Sequence, residues 1–152
     1  MKVANHIVLR VFIGNDQQSK RLNNMKRVTG IGGMFFKSDD PKKLREWYGN
    51  HLGLEINEWG STFSWIDPRT PDKKASTQWS PFEKDTKYFA PSDKPFMFNY
   101  RVENLVELLK LLREEGVTIV GEIEEASYGK FAWIMDPEGN KIELWEPVDE
   151  AL

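Results

Sequence analysis

The chain repeats itself. Phe63-Ser64-Trp65-Ile66 returns as Phe131-Ala132-Trp133-Ile134, each leading into an Asp-Pro, and Trp79-Ser80-Pro81 returns as Trp145-Glu146-Pro147. Asp39-Asp40 with Leu44 returns as Glu103-Asn104 with Leu108, and Gly53 returns as Gly116. The echoes keep one order at separations of 63 to 68 residues, differences that changes in loop length absorb. Whatever the first half folds into, the second half folds into as well.

Each half reads as strand–helix–strand–strand–strand, an α+β unit. Val28–Lys37 has strand character. Asp39-Asp40-Pro41 then opens a helix, with Asp at the cap and Pro at the first helical position, where its missing N–H does no harm. Leu44, Trp47, Tyr48 and His51/Leu52 recur at helical steps, and Gly53 suits the left-handed exit. Short β-rich runs follow at Leu54–Trp59, Thr62–Ile66 and Ser76–Trp79. Residues 80–95 hold three prolines and six charges and read as a linker whose Glu83, Lys84, Asp85 and Lys87 are solvated. Beyond it come a strand at Phe96–Val102, a helix at Asn104–Glu115 and strands near Thr118–Glu124, Lys130–Met135 and Lys141–Glu146. Asn104 and Glu107 have capping-box spacing, Leu105, Leu108, Leu109 and Leu112 form the apolar stripe, and Gly116 closes the helix.

The expected organisation is an N-terminal extension over 1–27, one domain over 28–147 built from repeats 28–82 and 95–147, and a tail over 148–152. Within residues 1–24 two readings stay open. Either they are an upstream extension with Met25 as the natural start, or the apolar run from His6 to Ile13 is an extra edge strand.

Composition removes whole classes of function. Without cysteine there are no disulfides, thiolate metal sites or cysteine nucleophile. With 21 basic against 24 acidic residues, well mixed, no basic stripe for nucleic acid exists. No apolar run reaches the roughly 18 residues of a membrane span, and no cleavage signal follows Ile13, so a cytoplasmic location is expected. No nucleophile elbow or Walker loop is present, and the glycines of Gly30-Ile31-Gly32-Gly33 precede a strand instead of joining strand to helix.

Two stretches of sequence carry a resemblance. One is Phe35-Phe36-Lys37-Ser38-Asp39-Asp40 running into Leu44, Trp47-Tyr48 and His51-Leu52-Gly53-Leu54. The other is Asn99-Tyr100-Arg101-Val102-Glu103-Asn104-Leu105 with Asp136-Pro137-Glu138-Gly139-Asn140-Lys141-Ile142-Glu143-Leu144-Trp145-Glu146-Pro147. Together they resemble the vicinal oxygen chelate superfamily, the glyoxalase, bleomycin-resistance and extradiol-dioxygenase group. The resemblance implies two βαβββ repeats forming a curved mixed sheet, a cup on its concave side and helices on its convex side. It also implies a homodimer, which the aromatic excess suits. In the catalytic members a divalent ion sits in the cup, held from the first and last strands of each unit. The matching positions here are Gly33, Thr77, Met97 and Glu143. Only Glu143 is a competent ligand, so neither metal nor cofactor is expected.

Alternation along the strands then puts Phe35 and Lys37 with Gly33, Trp79 with Thr77, Asn99 and Arg101 with Met97, and Lys141 and Trp145 with Glu143. Phe36 and Phe98 take the helix side. The expected site is an aromatic cup for a small organic molecule, with Trp79 and Trp145 either stacking on it or simply packing. Glu143 is read two ways. It is an inherited carboxylate whose partner is Arg101, Lys141 or a basic or hydrogen-bond-donating ligand in a metal-free binding protein, or it is the general base of a glyoxalase-like lyase or isomerase working with or without a metal.

Overall fold

The structure, a computed structural model, describes Lys20, Asn24 and residues 26–152. The two readings of residues 1–24 fall, but for Lys20 and Asn24, outside the described residues. The first unit consists of β1 (Val28–Ser38), α1 (Pro41–Leu52), β2 (Ser61–Ile66) and β3 (Lys74–Glu83). The second consists of β4 (Phe96–Val102), α2 (Leu105–Glu114), β5 (Thr118–Ala126), β6 (Gly129–Met135) and β7 (Lys141–Pro147), followed by a 3-10 turn at Asp149–Ala151.

All seven strands join one curved mixed sheet in the order β2-β3-β1-β4-β7-β6-β5. In each unit the first strand pairs in parallel with the last, β1 with β3 and β4 with β7. The units meet where β1 runs antiparallel to β4, placing Gly33 opposite Asn99, Met34 opposite Phe98 and Phe35 opposite Met97.

Both helices begin as their sequences require. The Asp40 side chain accepts from the Lys43 amide at 2.9 Å, and the Asn104 side chain accepts from the Glu107 amide at 3.2 Å. Helix α2 buries Leu105, Leu108, Leu109 and Leu112 against Val102, Ala132 and Leu144. Helix α1 sits shallower, burying only Pro41 fully and laying the Tyr48 ring 4.6 Å from that of Trp79. Because α1 packs on β1 and β3 and α2 on β5, β6 and β7, the outer face of the central β1–β4 pair lies between them. There Ile31, Met34 and Phe98 are exposed. Phe98 was expected beneath a helix and instead lies in this uncovered stripe.

Two expected elements differ. Leu54–Trp59 forms no strand beyond one bridge between Ile56 and Ser61. The reason is local: the Asn57 side-chain oxygen accepts from the amides of Trp59 and Gly60 at 2.9 and 2.8 Å, closing a turn in place of a ladder. The segment read as a linker is no linker either. Its first residues extend β3 to Glu83, and Phe89, at 0% exposure, is packed against Phe35, Met97 and Trp133. The charged residues Glu83, Lys84, Asp85 and Lys87 remain on the surface. No described helix is long and apolar enough to cross a membrane.

Leu109 is 1% exposed at the centre of the α2 contact, so Leu109→Ala is expected to cost about 2–5 kcal/mol of stability. Urea unfolding measures this as a lowered midpoint at unchanged slope.

Candidate functional site

The face of the sheet away from the helices forms the cup. Alternation turns Phe35 on β1, Asn99 on β4, Phe131 and Trp133 on β6, and Glu143 and Trp145 on β7 into it. These residues wall a cavity of about 590 Å³. On β3 the residues facing it are Gln78, Ser80 and Phe82. From the first unit's loop, Trp59 reaches the rim while 73% exposed.

Glu143 is the buried charge of the cup wall, 2% exposed. Its carboxyl accepts three hydrogen bonds. Asn99 Nδ2 donates to Oε1 at 2.6 Å, Trp133 Nε1 donates to Oε2 at 2.8 Å, and the Tyr88 hydroxyl donates to Oε2 as well. Burial nevertheless dominates. It pushes the Glu143 carboxyl above the ordinary range, while the three donors and the charge of Lys141 pull it back only in part. The Tyr88 hydroxyl is pushed up too, by burial and then by the charge of Glu143.

Neither expected cation bonds to Glu143. Lys141 Nζ donates instead to the Tyr88 carbonyl at 2.7 Å and lies over the rings of Trp133 and Tyr88, at 5.2 and 5.4 Å. Its ammonium is lowered by burial, an effect that the charge of Glu143 opposes. Arg101 pairs with Asp149 at 2.5 Å, donates to the Ser76 carbonyl at 3.2 Å, and sits between the rings of Trp65 and Trp145. Its planar guanidinium suits that ring-flanked seat. The C-terminal turn thus closes one end of the cup, while Tyr88 and Phe89 close another.

The remaining positions separate into two groups. Gly33 and Met97 lie on the cup side but beneath its surface. A Cβ on Gly33 would stand 2.6 Å from the Phe35 ring, and Met97 is packed with Phe35 and Phe89. Gly32 is equally constrained, since a Cβ there would stand 2.0 Å from Asn99 Oδ1. Thr77 and Trp79 leave the cup. Thr77 Oγ1 donates to the Ile31 carbonyl and accepts from Trp65 Nε1, while Trp79 packs on Tyr48 and Phe36. The physical reason is parity: β3 pairs Gln78 with Gly33 and Ser80 with Phe35, so the odd-numbered residues take the opposite face.

The residues present do not fit a divalent ion. Glu143 already spends its oxygens on N–H and O–H donors, the space at Gly33 belongs to the Phe35 ring, and Thr77 faces away. Among the described residues no three His, Cys, Asp or Glu side chains are grouped to hold a metal. Sequence reasoning missed Tyr88, Phe89, Phe82, Trp133 and Trp59. The signal for the first two was an aromatic pair inside an otherwise polar, proline-rich segment.

The sequence profile described as Glyoxalase/Bleomycin resistance protein/Dioxygenase superfamily matches residues 31–144. No curated protein matches the chain. Among solved structures, methylmalonyl-CoA epimerase from Mycobacterium tuberculosis is similar at 23% identity, over 82% of this chain and 92% of that one, with a TM-score of 0.55. A Streptomyces coelicolor methylmalonyl-CoA epimerase variant in complex with 2-nitronate-propionyl-CoA is similar at 16% identity, over 80% and 99%, with a TM-score of 0.60. At these identities the likeness concerns the fold.

A carboxyl raised in the folded state holds its proton more tightly there than in the unfolded chain. Its contribution to stability is therefore greatest at low pH and is lost as pH rises through the raised value. Glu143→Gln keeps the shape and removes the titration. The stability of the wild type relative to this variant is expected to fall as pH rises from the ordinary carboxyl range, and then level off; urea unfolding across pH reads the difference.

Proposed function

The chain belongs to the Glyoxalase/Bleomycin resistance protein/Dioxygenase superfamily, and from that premise we propose that it binds a small organic molecule in its aromatic cup without a metal ion. One observation carries this reading: an open cavity of about 590 Å³, walled by aromatic rings around a single buried carboxyl. Small-molecule sites measure about 300–1,000 Å³ and have this make-up, mostly apolar with few placed polar groups. The hydrogen bonds to Glu143 support metal independence, because they satisfy the carboxyl within the protein. The lack of cysteine suits a reducing compartment, and we place the protein in the cytoplasm.

A second reading has one observation in its favour. Glu143 faces the cavity with its proton affinity raised by burial, as suits a general acid or base of a lyase or isomerase.

We also propose that the bare stripe of Ile31, Met34 and Phe98 is covered by a second copy of the chain. Exposed apolar patches of this kind commonly mark interfaces, and two-fold dimers are the commonest assembly. Light scattering is expected to give the mass of two chains, and Met34→Glu with Phe98→Glu the mass of one. A single-chain mass for the wild type overturns the dimer.

Binding is tested by thermal denaturation against a small-molecule library, with and without a chelator. Ligands are expected to raise the midpoint by mass action, equally in both conditions. Stabilisation that vanishes with chelator overturns metal independence. Solvent deuterium incorporation into a bound ligand, lost in Glu143→Gln, would favour the second reading.

A further inference from the structure

We infer that the cup selects an organic cation, an aromatic or alkyl ammonium, a reading that rests on the cup being a binding site. The argument begins with charge. Two carboxyl side chains face the cavity, Glu124, paired across the strands with Phe131, and Glu143, and no lysine, arginine or histidine lines it among the described residues. Lys87 and Lys141 face a separate, smaller recess that shares only Tyr88, Glu124 and Trp133 with the cup. Lys130 lies opposite Glu125 on the neighbouring strand and does not line the cavity.

Hydrogen-bonding capacity points the same way. The cup's strongest donors are used internally: Trp133 and Tyr88 donate to Glu143, Trp145 Nε1 to the Tyr128 carbonyl, and Gln78 Nε2 to Ser76. Asn99 gives its Nδ2 to Glu143, and its Oδ1 is buried against Gly32. A wall of carboxylate and ring faces, with these donors already used, favours a guest that brings positive charge.

The protein already stabilises cations in this manner at two places beside the cup. Arg101 is flanked by the Trp65 and Trp145 rings with Asp149 as counter-ion, and Lys141 lies over the Tyr88 and Trp133 rings within reach of the charge of Glu143. At the rim the rings of Trp59 and Tyr128 stay exposed, and Glu124 lines the same cavity, so ring faces and a carboxylate are both offered to a guest.

Isothermal titration of the full chain with three naphthalene probes tests this. They are (1-naphthylmethyl)trimethylammonium, neutral 1-naphthalenemethanol and anionic 1-naphthylacetate. The ammonium is expected to bind about tenfold tighter than the alcohol, with the acetate weakest. Glu124→Gln, exposed at the rim, is expected to remove most of that preference while the alcohol binds as before. Trp59→Ala should weaken the ammonium more than the alcohol. Equal binding of alcohol and ammonium, or preference for the acetate, overturns the cation inference and leaves the cup as a binding site. If no probe binds at millimolar concentration, the binding reading fails and this inference with it.

Discussion

Much of the molecule is arranged around a carboxylate that has been taken out of water. A buried carboxyl without partners costs several kcal/mol, so Glu143 requires donors. They come from three places: Asn99 on β4, Trp133 on β6, and Tyr88 on the segment between the two units. The same carboxyl therefore fastens the two unit-two strands beside β7 and draws an irregular segment across the cup. Phe89 follows Tyr88 inward and fills the space against Phe35 and Met97. The irregular backbone is held because two aromatic residues on it satisfy requirements set elsewhere.

Glycine does the complementary work on the opposite side of the central pairing. The antiparallel meeting of β1 with β4 brings Gly33 opposite Asn99, and the absence of side chains at Gly32 and Gly33 lets Asn99 and Phe35 occupy the wall. Side chains at these positions would displace the amide that supports Glu143. Packing of the wall and solvation of its charge are thus a single problem, solved by residues from both repeats.

How much of this was legible in the sequence depends on the element. The helices were readable because caps, apolar spacing and exits agreed, and β1, β4 and β7 because alternation fixes a face once one residue is placed. The echo of Trp79 with Trp145 misled: the two tryptophans match in sequence, yet one packs on α1 and the other lines the cup. A strand has a period of two, so an error of one residue reverses every assignment on it. The partners of Glu143 were unreadable for another reason. Arg101 and Lys141 have the right charge, but each reaches a nearer acceptor, Asp149 and the Tyr88 carbonyl. Neutral donors at closer range took their place. Tyr88 lies far from any periodic pattern, and its role follows from tertiary geometry alone.

The space above Gly33 has a consequence for how such a chain can change over generations. A histidine there, the first step toward a metal-bearing cup, would collide with the Phe35 ring, and a smaller residue at 35 would open a void against Phe89 and Met97 before any ion could fill it. Either replacement alone is expected to cost stability, and both together, with further ligands, are needed before an ion could be held. A barrier of that kind separates neighbouring sequences without separating their folds, so a chain that has filled this corner with an aromatic ring is kept from that replacement by packing.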